Sequence, residues 1–387
     1  MKTVLYFFPL NLMKNNTGSI RRAWGMLEAF KNADCVVDYV YSFDLWGGPM
    51  DAAEADALKK TGLVREVYEL RKKPAGSGAL SYSIQYRINR FIKDTAFRRS
   101  IPDFVTAYNR HLFNTILEKN NYDYIVISYA YWSGLVKNNP RIKQAKLIVD
   151  THDFLTAQEL GKKRFSAGRG FADEMRRLGC FDQIWAISIE EQYLFRQFVD
   201  KDVKLMPYCL QEQVVPEGQE KEFDIIYVAG DNRHNVNAAN WFFKEVYPLI
   251  DLSVRWCIVG RICEHIPDCA NIRKVPYAPD LQPYYSRARL AICPMLSGTG
   301  VKIKVIEALA YGLPVVCNPQ GVDGLVNKTE NGCVVAESAK DFAESIWKLL
   351  NKETDYAEIK NLAATYFQKN HSEKTLLNII KSVLVGQ

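Results

Sequence analysis

The sequence predicts an α/β protein made of two doubly wound domains, each a parallel sheet with helices on both faces. Short apolar runs bounded by polar residues, such as Tyr124–Ser128 and Lys146–Asp150, are typical of buried parallel strands. Helical segments alternate with these runs, and the alternation restarts after a Pro-marked stretch at residues 207–216. A chain of 387 residues is long enough to form two such domains.

The individual elements follow from the same patterns. In the first half, the further predicted elements are strand Thr3–Phe8, helix Arg21–Phe30, strand Val36–Tyr41 and strand Gln183–Ile187. Ser188 stands where an N-cap is expected, and Glu190 and Glu191 suit the first turn of the helix that follows. In the second half, the predicted elements are strand Asp224–Ala229, helix Ala238–Ile250, strand Arg255–Val259, helix Leu281–Arg287, strand Leu290–Cys293, helix Val301–Tyr311, strand Pro314–Cys317 and helices over most of 339–382.

These patterns divide the chain into a first domain at 1–207 and a second domain at 208–365. The remaining residues, 366–387, are predicted to form a C-terminal helix that packs back toward the first domain. Ligands of doubly wound sheets bind outside the carboxyl ends of the strands. With two domains, we therefore expect the site in the cleft between them.

The composition excludes several classes of protein. The net charge is +6, and residues 1–205 carry 31 Lys and Arg against 23 Asp and Glu, whereas residues 206–387 carry 19 against 21. The first half is therefore the one expected to meet an anionic partner. There is no block of five like charges and no RNA-binding or zinc-finger signature, so we expect no nucleic acid partner.

The cysteines and the apolar stretches bear on location. Nine scattered cysteines without a C-x-x-C pair are typical of a reduced cytosolic protein and not of a metal site. The run Thr3–Leu10 is too short for a signal peptide, and no apolar stretch approaches the roughly 18 residues that cross a bilayer. We expect a cytoplasmic protein, either free or peripheral on the inner face of the membrane.

The segment Arg71–Arg99 differs from the rest in composition. It holds eight Lys and Arg, a single acid and four interleaved aromatic residues. Ser81–Arg99 is compatible with an amphipathic helix whose basic residues, including Arg87, Arg90 and Lys93, meet an anionic acceptor or a membrane surface. The alternative is a solvated basic helix whose aromatic side chains pack on its own domain.

The stretch Pro294–Leu325, PMLSGTGVKIKVIEALAYGLPVVCNPQGVDGL, carries the most chemical information. A strand ends near Pro294, and a Gly-Thr-Gly loop opens a helix predicted from Val301. The free N–H groups and the dipole of a helix start attract anions, and Gly298 and Gly300 let a ligand approach the backbone. Lys302 and Lys304 in the first turn oppose the helix dipole unless an anion is bound. With Glu307 available for paired hydroxyls, the pattern indicates a diphosphate joined to a ribose.

This string resembles the signature of the family-four (group 1) glycosyltransferases, a large retaining group with the GT-B fold of two Rossmann-like domains facing a central cleft. Phe223–Ile250 is similar to the first strand, loop and helix of that family's nucleotide-binding domain. Lys146–Asp153, KLIVDTHD, resembles the strand that ends in a His-Asp pair. The resemblance covers roughly residues 146–350, and residues 1–30 more loosely. It implies that the first domain, 1–207, binds the acceptor and that the second domain, 208–365, binds the nucleotide sugar.

The resemblance implies roles for individual residues. Glu307 matches the second Glu of a pair separated by seven residues and would hold the ribose, whereas the first Glu is replaced by Thr299. Lys302 and Arg233 would neutralise the diphosphate, with the loop residues Gly298, Thr299, Gly300, Val301 and Lys304 around it. His152 would touch the donor sugar or its β-phosphate.

Gly18 resembles the family's Gly-rich first loop. An ordinary loop glycine at 18 and a surface arginine at 233 are the alternatives to functional roles. The four other histidines, His111, His234, His265 and His371, are interpreted as structural.

The implied reaction is the transfer of a sugar from a nucleotide-diphosphate donor to a glycan, lipid-linked or other glycoconjugate acceptor, with retention. No metal and no cofactor are expected, and the nucleotide-diphosphate sugar is a co-substrate. Two alternatives stay open at this point. One is an inactive subunit of the same fold that binds a nucleotide or a glycan, and the other is a sugar-nucleotide epimerase of related fold.

Overall fold

The structure is a computed structural model, and it describes residues 1–14, 17–44, 48–74, 82, 100–213, 215–216 and 218–385. These residues form two compact units, Met1–Met206 with Leu376–Gln387, and Pro207–Thr375. The ranges expected from the sequence, 1–207, 208–365 and 366–387, stay a prediction of the functional domains.

Unit 1 contains a seven-stranded sheet in which every neighbouring pair is parallel. Its strands are β1 (Lys2–Phe7), β2 (Cys35–Ser42), β3 (Glu66–Leu70), β4 (Tyr124–Ser128), β5 (Lys146–Asp150), β6 (Gln183–Ala186) and β7 (Asp202–Leu205). Their order across the sheet is β3-β2-β1-β4-β5-β6-β7, which is a doubly wound arrangement. The register pairs Phe7 with Ile127 and Ser128 with Asp150, so the carboxyl ends of β1, β4 and β5 lie side by side.

Helices connect these strands. They are Gly18–Asn32, Ala52–Lys60, Ala107–Lys119, Leu155–Glu159, Ala167–Leu178, Ile189–Phe198 and the 3₁₀ segment Ala130–Leu135. Ser188 caps the helix Ile189–Phe198 by accepting a hydrogen bond from the Glu191 amide, which confirms the predicted cap. Thr106 and Asn109 form a capping box at the start of Ala107–Lys119, a helix that was not among the predicted elements.

Unit 2 contains a second parallel sheet, with six strands in the order β10-β9-β8-β11-β12-β13. Its strands are β8 (Phe223–Val228), β9 (Trp256–Val259), β10 (Ile272–Val275), β11 (Ala288–Cys293), β12 (Val315–Cys317) and β13 (Cys333–Val335). Its helices are Arg233–Trp241, Gln282–Tyr285, Ile303–Ala310, Ala339–Asn351, Glu353–Asn370 and Glu373–Ile380, the last of which crosses the boundary between the units. Two parallel sheets with helices confirm the predicted fold class.

Each sheet is buried between its helices. In unit 1 the strand residues Phe7, Ile127 and Val149 are fully buried in one apolar cluster with Trp132 and Phe195. A second cluster forms around β8 and β9 in unit 2. Because both faces of these strands are covered, their sequences are continuous apolar runs without alternation, and this is why Tyr124–Ser128 and Lys146–Asp150 were predicted with the bounds that the structure has.

Some predicted helix starts were wrong. The helix predicted from Val301 begins at Ile303, since Gly300 has a φ of 78° and Lys302 is extended. The helix predicted from Ala238 begins at Arg233, where the side chain of Asn232 accepts a hydrogen bond from the amide of Asn235. The residues around Asn232 are polar and have no apolar periodicity that would predict a helix, so the first turn was not predicted.

The basic residues Arg87, Arg90 and Lys93, predicted to contact an acceptor or membrane, lie outside the described residues. Within the described ranges, every helix is too short or too polar to cross a bilayer.

Candidate functional site

The strand order of each sheet locates its binding edge. In a doubly wound sheet the order reverses at one point, and ligands bind beyond the carboxyl ends of the two strands there. In unit 2 this point lies between β8 and β11, and in unit 1 between β1 and β4. Arg233 follows β8 and the glycine loop follows β11, so the structure brings these two predicted features of unit 2 to the same edge.

The glycine loop, defined here as residues 294–302, has the backbone that a close ligand approach requires. Gly298 and Gly300 have φ values of 102° and 78°, in the left-handed region that favours glycine. The helix Ile303–Ala310 begins directly after the loop, and no side chain caps its N-terminus. Its first N–H groups and its dipole therefore offer an anion site.

Lys302 is part of the loop's architecture as well as a source of charge. Its Nζ donates hydrogen bonds to the carbonyl oxygens of Gly298, at 3.1 Å, and Gly300, at 2.7 Å. The residue is only 7% exposed, and Nζ lies 3.9 Å from Asp323 Oδ2. The ammonium group is thus fixed within the loop, close to the start of the helix.

Lys304 has a different environment from the one that its spacing suggested. Its Nζ donates to Asn235 Oδ1 at 2.8 Å and lies 5.6 Å from the centre of the Tyr227 ring. Burial lowers the pKa of Lys304. The residue therefore links the helix Ile303–Ala310 to the helix Arg233–Trp241, and its role in donor binding stays a prediction.

The remaining residues of the string are distributed around the loop. Thr299 is exposed, whereas Glu307 is 7% exposed and lies in the second turn of the helix. Val301 packs against Gly324, whose φ is 83°; a Cβ on Gly324 would come within 2.4 Å of Val301 Cγ2. The final glycine of the sequence string therefore has a specific function, which is to make room for the loop.

Arg233 and His234 lie at the start of the helix that faces the loop. Arg233 is exposed, and its guanidinium has no hydrogen-bond or ion-pair partner among the described residues. His234 was interpreted as structural, and its Nδ1 lies 2.8 Å from Ser297 Oγ, so it joins the start of this helix to the glycine loop. The sequence signal for this location was that His234 directly follows Arg233, after the first strand of the unit.

In unit 1, Gly18 begins the 15-residue helix Gly18–Asn32, and again no side chain caps the N-terminus. His152 lies immediately beyond β5, with a left-handed φ of 59°. Its ring stacks on that of Tyr129, with ring centroids 4.3 Å apart. The centroid of the Phe8 ring lies 5.6 Å from that of His152. The structure thus places both predicted residues of unit 1 at the carboxyl edge of its sheet.

A buried ion pair between Arg22 and Asp150 lies next to His152, and no motif or periodicity in the sequence indicated it. Asp150 Oδ2 is 3.1 Å from His152 Nε2, and Asp150 accepts hydrogen bonds from Arg22 Nη2 at 2.7 Å and Nε at 3.2 Å. Arg22 Nη2 also donates to the carbonyl oxygen of Met206 at 2.8 Å. Burial acts to raise the pKa of Asp150, but Arg22 and His152 outweigh it and hold this pKa well below its usual range. Burial lowers the pKa of His152, so its ring is neutral at physiological pH.

Two further carboxyl groups near this edge behave in the opposite way. Burial raises the pKa of Glu191 to about 8, and the nearby charge of Asp153 adds to this effect. Burial also raises the pKa of Asp153 to about 7. The hydroxyl of Thr151 donates to Glu191 Oε2 at 3.1 Å. Among the described residues, no group of three or more His, Cys, Asp or Glu side chains has a metal-binding arrangement.

The segment that carries the glycine loop is similar to a known protein family. Residues 222–352 match the model of the group 1 glycosyl transferases. A curated relative, an uncharacterized 44.6 kDa protein in a cps region of Klebsiella pneumoniae, is 24% identical over 162 residues. This match covers 38% of the present chain and 42% of the relative.

Solved structures match over the whole chain. Sucrose-phosphate synthase from Thermosynechococcus elongatus is 14% identical with a TM-score of 0.69, and the match covers 100% of this chain and 99% of that protein. Anabaena HepE in complex with UDP and glucose is 14% identical with a TM-score of 0.67, and the match covers 100% of both chains. At this identity the likeness establishes the fold, which is the GT-B fold of glycosyltransferases.

Proposed function

Because residues 222–352 form a group 1 glycosyltransferase domain within a chain of GT-B fold, we propose that this protein transfers a sugar from a nucleotide-diphosphate donor to a glycan or lipid-linked acceptor. The observation that carries the proposal is the uncapped helix start at Ile303, preceded by Gly298, Gly300 and the fixed ammonium group of Lys302. This arrangement lies at the edge where doubly wound sheets bind ligands, and it suits a pyrophosphate.

The proposed chemistry uses charge that the protein itself supplies. As the bond between the sugar and the diphosphate breaks, negative charge grows on the departing phosphate. The N–H groups at the helix start, Lys302 and the exposed Arg233 stabilise that charge, and Glu307 holds the ribose hydroxyls. These cations take the place that a metal ion has in other transferases, so we propose a metal-independent reaction. Retention at the anomeric carbon is proposed from the family resemblance.

The donor and the acceptor are proposed from different observations. HepE is described in complex with UDP and glucose, which makes UDP the first nucleotide to test. The relative from a cps region supports a polysaccharide acceptor. The basic segment Arg71–Arg99, with Arg87, Arg90 and Lys93, is proposed to contact an anionic acceptor or the membrane surface, on the basis of its sequence.

The first experiment combines calorimetry with a panel of nucleotide diphosphates and a donor-hydrolysis assay. We expect one nucleotide to bind, and we expect the matching sugar donor to be hydrolysed slowly without an acceptor. In Lys302→Ala, the rate of hydrolysis or transfer should fall by about 10²- to 10³-fold, since a charge-assisted contact to the leaving group is lost. NMR of the transfer product tests whether the anomeric configuration is retained.

Lys340→Ala is the matched control, because Lys340 is an exposed lysine of another helix in the same unit. It should leave the rate unchanged. Nucleotide binding without donor hydrolysis would instead support an inactive subunit. An unaltered rate in Lys302→Ala would remove Lys302 from the mechanism.

A further inference from the structure

We propose that the basic turn of unit 1, defined here as residues 160–169, binds the acidic groups of a glycan acceptor, so that the acceptor is an anionic chain. The turn contains Lys162, Lys163, Arg164 and Arg169 and no acid. The identification of the anionic chain as the acceptor rests on the proposed function, whereas the binding of anions by the turn does not.

The basic turn belongs to the connection between β5 and β6. Beyond the carboxyl end of β5 the chain forms the helix Leu155–Glu159, then the basic turn, and then the helix Ala167–Leu178, whose first three residues close the turn. Glu174 of the second helix is 1% exposed, and it accepts hydrogen bonds from the N–H groups of Leu155 and Thr156, both at 2.8 Å. The elements on either side of the turn are therefore fixed to each other, and the connection starts at the edge where doubly wound sheets bind ligands.

Most of the positive charge in the turn has no counter-charge. Lys162 Nζ lies 2.7 Å from Glu159 Oε1. Lys163, Arg164 and Arg169 are exposed, and in the described part of the chain their side chains have no hydrogen-bond or ion-pair partner. Several other exposed cations of unit 1, by contrast, pair with a carboxylate. Neighbouring cations that are not neutralised repel one another and attract an anion.

Arg169 stands where a cation lowers stability. It is the third residue of the helix Ala167–Leu178, which has no acid in its first turn. In the described helices that a Ser, Thr or Asp side chain caps, the third residue is instead an acid or an amide, namely Glu54, Asn109, Glu191 or Asp341. The helix dipole favours acids and disfavours cations at this position. A charge that is kept at a cost to stability is typical of a functional residue.

A second basic stretch of unit 1 ends at the same helix. Arg177 donates from Nη2 to the carbonyl oxygen of Ile101 at 2.9 Å and from Nη1 to that of Pro102 at 2.6 Å. Ile101 and Pro102 come almost directly after the basic segment Arg71–Arg99 in the sequence. Two basic stretches that are far apart in the chain are therefore attached to one helix, which suits a ligand with several acidic groups.

The apolar side chains of the turn favour a glycan over a membrane surface. Phe165 faces inward, because a Cβ on Gly170 would come within 2.2 Å of Phe165 Cζ, so its ring lies against the helix backbone. This leaves Leu160, which is 57% exposed, as the large apolar side chain that the turn offers to a bilayer. Interfacial binding needs a face of several apolar side chains beside the cations. Gly161 and Gly168 have open space around them, with no atom within 4 Å of an added Cβ, so a chain can lie on the turn.

Calorimetry with the full chain and two anionic probes tests the binding. Hexagalacturonate carries carboxylates, linear polyphosphate carries phosphates, and maltohexaose is the neutral control. We expect an anionic probe to bind and maltohexaose not to bind. The affinity should fall steeply between about 0.01 M and about 1 M salt, since the screening length falls from ~30 to ~3 Å. The probe that binds more tightly identifies the recognised group as a carboxylate or a phosphate.

The failure of both anionic probes to bind would overturn the proposal. Binding to vesicles of phosphatidylcholine and phosphatidylglycerol, but to neither soluble anionic chain, would overturn it as well and assign the turn to a membrane.

Charge reversal shows whether the turn is the binding site, because polyphosphate can also occupy the anion site of unit 2. The double variant Lys163→Glu with Arg164→Glu should bind the preferred probe about tenfold more weakly, since two ion pairs are replaced by repulsions. Lys119→Glu with Lys143→Glu is the matched control, because both lysines are exposed and lie near the amino ends of the unit 1 strands. It should bind the probe like wild type.

An unchanged affinity in the Lys163 and Arg164 variant would refute the proposal. Nucleotide binding reports on the proposed function separately and should be unchanged in both double variants. If no nucleotide binds to the wild type, the proposed function fails, but the probe results still decide whether the turn binds anions.

Arg169→Glu separates the function of the turn from its stability. This variant puts an acid in the first helical turn, so it should unfold at a higher urea concentration than wild type while its affinity for the probe falls. Lys119→Glu makes the same charge change in the last turn of the helix Ala107–Lys119 and should have the opposite effect on stability, with no effect on the probe. An Arg169→Glu protein that binds the probe like wild type would exclude Arg169 from the site.

Discussion

Single residues of similar chemistry have opposite ionisation states at the carboxyl edge of the unit 1 sheet. Asp150 and Glu191 are both buried, but Asp150 has a bidentate Arg22 partner, whereas Glu191 has one hydroxyl donor and the charge of Asp153 nearby. The pairing keeps Asp150 ionised, and its absence leaves Glu191 protonated at neutral pH. The environment of each carboxyl group, and not its residue type, decides its charge.

This difference predicts how stability depends on pH. The folded-state pKa of Glu191 is about 8, above the roughly 4.3 of an unfolded glutamate, so the folded state holds a proton that the unfolded state releases. The contribution of Glu191 to the stability of the folded protein is fully present below pH ~4.3 and is lost as the pH rises toward 8. Glu191→Gln removes this titration. The free energy of unfolding of the variant should therefore rise relative to that of the wild type, by up to ~1.4 kcal/mol per pH unit, as the pH increases over that window.

Urea unfolding of wild type and Glu191→Gln at several pH values measures this difference in the free energy of unfolding. Glu190→Gln is the matched control, because Glu190 is exposed and lies in the same first helical turn. Its difference from wild type should be nearly constant with pH. A constant difference for Glu191→Gln as well would mean that Glu191 is ionised in the folded protein.

At the scale of elements, the glycine loop depends on neighbours that lie outside it. Lys302 fastens the loop through two carbonyl groups, His234 reaches Ser297 from the helix Arg233–Trp241, and Gly324 leaves space for Val301. These contacts fix the position of the glycine loop in front of the helix that begins at Ile303. A diphosphate site of this kind needs its N–H groups in place before the ligand arrives.

Gly324→Ala tests this support. Both Gly324 and Gly312 have left-handed φ values, 83° and 64°, so an alanine at either position costs on the order of 1–2 kcal/mol of backbone strain. Only at Gly324 would the new Cβ also press on Val301, at 2.4 Å from Cγ2 and 3.2 Å from Cα; at Gly312 the nearest atom is 3.9 Å away. We expect Gly324→Ala to weaken nucleotide-diphosphate binding at least about tenfold, a loss of ~1.4 kcal/mol, relative to Gly312→Ala.

Calorimetric titration of both variants compares their affinities for the nucleotide diphosphate. Their free energies of unfolding should fall by similar amounts, because both carry the backbone strain of an alanine with a left-handed φ. Equal affinities in the two variants would mean that the loop accommodates the clash and that its position is not critical for the ligand.

At the scale of the whole molecule, the end of the chain belongs to the unit formed by its beginning. Residues Leu376–Gln387 are grouped with Met1–Met206, and within this segment Leu376, Ile380 and Leu384 are buried. The hydroxyl of Tyr124, at the start of β4, donates to the carbonyl oxygen of Leu384 at 2.7 Å. Unit 1 is therefore complete only when residues 376–384 have been made.

Truncation after Thr375 should destabilise unit 1. Three buried aliphatic side chains are lost, each of which contributes about 1.5–3 kcal/mol when fully buried. Amide hydrogen exchange of β4 should accelerate strongly in the truncated chain. Tyr124→Phe removes only the hydrogen bond to Leu384 and should cost ~1 kcal/mol. Unchanged exchange of β4 after truncation would show that the segment does not stabilise this sheet.

The sequence by itself determined the fold class and the loop that we propose binds the donor. Strands buried on both faces are continuous apolar runs, and a glycine loop with neighbouring lysines is a local pattern, so both can be read from contiguous residues. The roles proposed for Lys302, Arg233, His152 and Gly18 came from the family resemblance, and they stay predictions until the experiments above are done.

Only the tertiary structure decided how these residues are held. Arg22 and Asp150 are 128 residues apart in the chain, and His234 and Ser297 are 63 apart. An isolated arginine or aspartate has no periodicity that reveals its partner, because such a pair forms only when the strand order brings distant segments together. For the same reason the hydrogen bond from Lys304 Nζ to Asn235 Oδ1 could not be predicted from the sequence, and the donor-binding role of Lys304 stays a prediction.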